Sequence, residues 1–127
     1  MAREADAARL AAYRRGLHAE TLAAWLLRLR FYRILARRYR TPSGEIDLIA
    51  RRGRTIVFVE VKSRPSESEA LEAVGAKARR RIVRAAELWL AAHPDAADFD
   101  LRFDVIAIVP GRLPRHRIAV FDAEGRL

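Results

Sequence analysis

Residues 44–62 read GEIDLIARRGRTIVFVEVK, and the reading of this stretch decides the fold. Two apolar runs, 46–50 and 55–61, flank Arg51-Arg52-Gly53-Arg54, and an X-Gly pair between such runs predicts a β-hairpin. With Arg52-Gly53 as a two-residue loop, Arg51 faces Arg54, Asp47 faces Phe58 and Glu45 faces Glu60. Alternation then places Asp47, Glu60 and Lys62 on one face with Ile49, Ile56 and Phe58, and Ile46, Leu48, Val57, Val59 and Val61 on the other. Both faces are apolar, so the hairpin is expected at the centre of a covered sheet. Charges at the rim of such a sheet are costly to desolvate unless they are paired, hydrated or bound to a metal. Glu60, diagonal to Asp47 at roughly 7–8 Å, is placed to converge with it on one ion. A Glu60–Lys62 ion pair at a strand end accounts for the same residues without a metal.

On the N-terminal side, residues 3–30 are rich in Ala, Leu, Arg and Glu and contain no Pro. Leu10, Leu17, Ala24 and Leu27 fall on one side at helical spacing, with Gly16 as a candidate division. Glu20 projects toward that same side, so its carboxylate is expected to face the core and to need a partner. Residues 32–39 read as a first strand, and Thr41-Pro42-Ser43-Gly44 as the turn into the hairpin.

On the C-terminal side, residues 63–66 end the strand and residues 67–92 form a second helical stretch closed by His93-Pro94. Val83, Ala86, Trp89 and Leu90 make its apolar stripe. Lys77, Arg81 and Arg84 cluster elsewhere, with Arg79 and Arg80 between, and such a basic helix face suits phosphates. Residues 101–109 are a strand carrying Asp104, expected to pair with an Arg, and residues 117–121 a weaker last one. His18, His93 and His116 show no metal-ligand spacing and read as surface or boundary residues. No phosphate-cradling Gly-rich loop or nucleophile elbow is present, which disfavours NTPase and serine-hydrolase chemistry.

With 127 residues, 51% of them hydrophobic, the chain suits one domain, residues 1–15 reading as a helical extension. It contains no Cys, hence no disulfide framework, and its N-terminus lacks a signal-peptide core. No apolar run approaches the roughly 20 residues of a membrane span, so a cytoplasmic protein is the default expectation. Lys+Arg is 25 against Asp+Glu 16, and a net charge of +9 favours a polyanionic partner, nucleic acid first. Only two of those basic residues are Lys, namely Lys62 and Lys77. Against an arginine background, a retained Lys points to a need for a compact ammonium with an adjustable pKa.

Asp47, a twelve-residue gap and then Glu60-Val61-Lys62 resembles the core of the PD-(D/E)XK nucleases, in the arrangement of Holliday junction resolvases. More closely, GEIDLIA, FVEVKSR, residues 16–24, Lys77 and RFDVIAI resemble, in order and spacing, the bacterial YraN family. The chain departs from that pattern at Ala19 and Phe31, where the family usually has Gly. The resemblance implies an α/β fold: a mixed central sheet flanked by helices, a restriction-endonuclease or resolvase-like core. It further implies a metal-dependent endonuclease acting on structured or branched nucleic acid, DNA ahead of RNA. Asp47, Glu60 and the Val61 carbonyl would hold Mg²⁺ or Mn²⁺, Glu20 as a first-helix carboxylate would join the metal site through a second ion or bound water, and Lys62 would orient the attacking hydroxide or stabilise the transition state. Lys77, Arg80, Arg81 and Arg84 would contact nucleic acid. Cutting both strands of a junction symmetrically requires two sites, which leaves room for a homodimer. The alternative is a DNA- or RNA-binding or interaction protein that keeps the nuclease fold without the chemistry.

Overall fold

A computed structural model describes residues 2–127. The chain runs α1 (Ala2–Leu29), β1 (Arg33–Thr41), β2 (Gly44–Arg52), β3 (Thr55–Ser63), α2 (Glu67–Glu72), α3 (Ala76–Ala92), a 3-10 turn (Pro94–Ala96), β4 (Asp100–Ile108) and β5 (Arg115–Phe121). The five strands form one sheet in sequence order, antiparallel except for the parallel β3–β4 pair. That parallel pair demands a crossover, which α2 and α3 supply. The expected mixed sheet with helices on both faces is thus the fold.

Each face of the sheet holds its own core. Ala23, Ala24 and Leu27 of α1 pack on Leu48, Ala50, Val57, Val59 and Ile106. On the opposite face, Ile82, Val83, Ala86 and Trp89 of α3 cover Ile46, Ile49, Ile56, Phe58 and Phe103. Phe58 stacks on Phe103 at 5.3 Å and meets Trp89 edge-on at 5.9 Å. Truncating so enclosed an aromatic to Ala costs about 3–5 kcal/mol.

The hairpin turn differs from the sequence reading by one position. Arg52 pairs with Thr55, so Gly53-Arg54 forms the loop and Leu48 pairs with Val59. Gly53 has φ +60 and stands first of the two loop residues, as in type II′ turns, whose twist matches that of the flanking strands. Every cross-strand partner therefore moves by two residues, which leaves the assignment of faces intact in β3.

Two helical boundaries also differ. Gly16 does not divide α1, which is continuous over 28 residues. Its first half nevertheless lies outside the core: residues 2–16 are all exposed, including Leu10, expected on the packed side. The second helical stretch splits at residues 73–75, because Gly75 is extended (φ −76, ψ 177) and becomes the N-cap of α3. Ser66 opens α2 by accepting a hydrogen bond from the Glu69 amide at 3.2 Å, while its hydroxyl donates to Glu69 Oε2 at 2.9 Å.

Gly44 fixes the approach of the β1–β2 turn to α3. A Cβ there would lie 3.0 Å from the carbonyl oxygen of Arg81, so only glycine lets the turn close on the helix without displacement.

Candidate active site

The β2–β3 ladder runs from Arg52↔Thr55 to Leu48↔Val59 and pairs no further. Beyond it the Val61 amide donates to Asp47 Oδ2 at 2.8 Å, so a side chain takes the place of a strand carbonyl. Next to this gap, Lys62 Nζ lies 3.4 Å from Glu60 Oε1. The fold therefore brings Asp47, Glu60, Val61 and Lys62 together where two central strands part.

Asp47 does not share a face with Ile49 and Phe58, as strict alternation required. Ile46 and Ile49 both pack on the α3 side and Leu48 on the α1 side, so alternation breaks between them. Asp47 instead lines a cavity of ≈ 310 Å³ with Tyr13, Gly16 and Glu20 of α1, Arg38 and Arg40 of β1, Glu45 and Val61. The break is matched in β1: the pairs Arg37↔Leu48 and Tyr39↔Ile46 flank Arg38, which has φ +51. A non-glycine residue at positive φ is a strained choice, and strain of this kind concentrates at functional positions.

The break gives Glu20 its partners. Its carboxylate is buried, and it accepts from Arg37 Nε at 3.4 Å and Arg38 Nε at 3.1 Å. Arg38 also donates to the Tyr13 hydroxyl at 3.3 Å, its guanidinium 5.5 Å from the centre of that ring. Glu20 thus points inward as expected, but it is held by two arginines and does not project freely toward Asp47. Sequence reasoning missed Arg37 and Arg38 because consecutive residues of a regular strand face opposite ways. The left-handed backbone of Arg38 lets both reach the same helix.

Burial, and after it the repulsion of Asp47, pushes Glu60 up to about 8, with Lys62 opposing. Burial likewise raises Asp47, against the opposing hydrogen bond from the Val61 amide. Arg38 and Arg40 of that cavity are paired with Glu20 and Glu45, which leaves Lys62 to oppose both desolvated carboxyls, and their hard oxygens suit Mg²⁺ or Mn²⁺. Among the described residues, no three His, Cys, Asp or Glu side chains group closely enough to hold an ion. The donor set therefore fits a cation held by two carboxylates and backbone oxygen that keeps several waters, as Mg²⁺ does.

Lys77, Arg80, Arg81 and Arg84 are exposed along α3, and among the described residues none of them makes an ion pair. Arg79 is different, donating to the carbonyls of Gly125 at 2.8 Å and Val74 at 2.9 Å, which ties the C-terminus to α3. This basic surface lies on the face of the sheet opposite α1. The contact of Gly44 with Arg81 brings it to the turn that opens β2.

Asp104 pairs with an arginine, Arg102, as expected, but it is wholly buried. His116, read as a boundary residue, has a side chain only 1% exposed and donates from Nε2 to Asp104 Oδ2 at 2.7 Å. The Ala119 amide donates to Oδ1, and Arg102 reaches on to the Tyr32 hydroxyl at 2.6 Å. This knot joins β4 to β5 and to Tyr32 just after α1.

A mixed five-stranded sheet covered by helices on both faces, with Asp, Glu and Lys gathered where β2 leaves β3, defines an α/β protein with a nuclease-like core. The chain belongs to the family described as Uncharacterised protein family UPF0102, the YraN family, whose family model matches residues 19–108. A UPF0102 protein of Bradyrhizobium diazoefficiens is 56% identical over 115 residues, covering 91% of this chain and 86% of the relative. A UPF0102 protein of Chelativorans sp. is 55% identical over 123 residues, covering 97% and 99% respectively. No helix of the described residues is long and apolar enough to cross a membrane.

Proposed function

We propose that this protein is a cytoplasmic, metal-dependent endonuclease that hydrolyses phosphodiester bonds in structured or branched nucleic acid, DNA before RNA. The observation that carries the reading is the charge-deficient pair Asp47 and Glu60, with Lys62 3.4 Å from Glu60, at the parted ends of β2 and β3.

Asp47, Glu60 and the Val61 carbonyl would hold Mg²⁺ or Mn²⁺. When bound, the ion supplies positive charge against the phosphoryl oxygens and acidifies water. The Val61 amide holds Asp47 in one orientation, so that carboxylate need not reorganise during the reaction. Burial and the neighbouring Asp47 favour the protonated form of Glu60, and a bound cation would favour its ionised form. Lys62 offsets the carboxylates beforehand, and its ammonium then orients the attacking water or steadies the negative charge developing on the phosphate. Glu20 acts at one remove, anchoring Arg38, which lines the same cavity as Asp47. Lys77, Arg80, Arg81 and Arg84 supply phosphate contacts that position the substrate without reading its sequence.

The test is cleavage of a four-way junction, a flap, a linear duplex, a single strand and a structured RNA with Mg²⁺ or Mn²⁺. Wild type is compared with Asp47→Asn, Glu60→Gln and Lys62→Met. Cutting by wild type and its near-complete loss in all three folded variants supports the mechanism; full activity in the variants removes it. A second reading, nucleic-acid binding without catalysis, draws on the engagement of Glu20 by two arginines and on the lack of a three-carboxylate cluster. Its signature is salt-sensitive binding indifferent to divalent metal.

A further inference from the structure

The outer side of α1 is an apolar face that nothing in the fold covers. Leu22, Trp25 and Leu29 are 50%, 57% and 75% exposed, and they recur at i, i+3 and i+7 on the side away from Ala23, Ala24 and Leu27. Toward the N-terminus the same line continues through His18, Arg15, Ala11, Ala8 and Glu4, a spacing of three and four residues that suits a helix–helix seam. Residues 2–16 are exposed, tied to the sheet through Tyr13 and Arg38. A helix of about 15 residues without tertiary support is marginal in water, so this arm calls for cover from outside the chain.

We propose that α1 packs antiparallel against α1 of a second copy of this chain. With the two-fold axis between residues 16 and 17, positions whose numbers sum to 33 face each other. Leu22 then meets the partner's Ala11, and Trp25 meets the partner's Ala8, so large side chains on the body of one copy fill the small-residue stretch on the arm of the other. The same register sets Glu4 beside the partner's Leu29, next to the partner's Arg28, and Arg15 beside the partner's His18, while the helix dipoles oppose. A parallel pair would set Trp25 against Trp25 and Arg28 against Arg28. Arg15 and His18 sit at the centre, where long polar side chains reach past the seam to water. Helices of 28 residues are roughly 42 Å long. Packed along that length they bury on the order of 1,000–1,500 Å² in total, which reaches the range of specific interfaces. The inference does not depend on catalysis, because none of these seam residues lies at the parted strands.

The experiment is light-scattering mass measurement of the full-length protein at micromolar concentration, after nuclease treatment to remove carried nucleic acid. Wild type is expected at twice 14.4 kDa, and Trp25→Glu at half that mass with an unchanged circular dichroism spectrum. Orientation is read by oxidative cross-linking, since the chain has no cysteine of its own. Ala11→Cys mixed with Leu22→Cys should give a disulfide-linked dimer, whereas each protein alone should not. A monomeric wild type, a Trp25→Glu protein that remains dimeric, or Leu22→Cys that cross-links to itself would overturn the proposal. So would a monomer that uses this face to bind nucleic acid or anionic vesicles and loses that binding in Trp25→Glu.

Discussion

Replacing Glu60 with Gln should stabilise the metal-free protein, and more so the higher the pH. An ordinary glutamate titrates near 4.5, whereas burial and then the neighbouring Asp47 carry Glu60 up to about 8. A carboxyl that binds its proton more tightly in the folded than in the unfolded chain favours folding fully below the unfolded value. That contribution is lost as pH rises through the folded one. At about 1.4 kcal/mol per pH unit, the interval from 4.5 to about 8 is worth about 5 kcal/mol. The variant never has to ionise this position and so escapes the loss. It gives up the Lys62 contact, a matter of about 1 kcal/mol, leaving a net gain of about 2–4 kcal/mol on the alkaline side. For a domain of this size that is a rise in Tm of roughly 10 °C. Thermal unfolding followed by circular dichroism between about pH 5 and pH 9 reads the effect, as curves that converge in acid and separate in base. Mn²⁺ should then raise the Tm of wild type more than that of the variant. Parallel curves across the range would refute the reasoning, because they would mean that Glu60 titrates alike in the folded and unfolded chains.

Three further outcomes follow from the geometry. Asp104→Ala should cost about 3–5 kcal/mol, since it strands Arg102 and the buried His116. Wild type should moreover lose stability in acid at this site. Burial pushes Asp104 up, but hydrogen bonds from His116, Arg102 and the Ala119 amide outweigh it and hold the carboxyl below its usual range, so the contribution disappears as pH falls through that lowered value; a urea titration at neutral and acid pH measures both effects. Gly53→Ala should destabilise by about 1 kcal/mol, because φ +60 at the hairpin loop is unfavourable to a side chain, with denaturant midpoint as the readout. Arg80→Ala with Arg84→Ala should weaken binding to a duplex and flatten its dependence on salt by about two counterions, with little change in fold, as measured by fluorescence anisotropy over a salt series.

Much of the architecture is legible in residues 44–62. Apolar runs on either side of a glycine turn specify a hairpin, and apolar residues on both faces specify cover from two sides. The identities Asp47, Glu60 and Lys62, with their spacing, also single out the place where charge gathers. Placing the turn one residue later cost nothing in β3, because a change of two residues in partner returns each side chain to its own face.

The helical content of residues 3–30 is equally plain from composition, but not which half of that helix the sheet would cover. Leu10 and Leu27 carry the same pattern; one is 49% exposed and the other fully buried, because the sheet ends beneath the middle of α1. The left-handed turn of the backbone at Arg38 is likewise a tertiary decision. Periodicity assigns Arg37 and Arg38 to opposite faces, and only the attraction of a buried Glu20, 17 and 18 residues away, draws both guanidinium groups to one side. His116 follows the same rule, buried by an Asp104 that lies on a neighbouring strand. Local sequence determined the elements and the charged residues of the site, since propensity, alternation and turn chemistry act between near neighbours. The partners of Glu20, Asp47 and Asp104 were decided by the folded structure alone, since a desolvated charge takes whichever counter-charge the packed chain brings within reach.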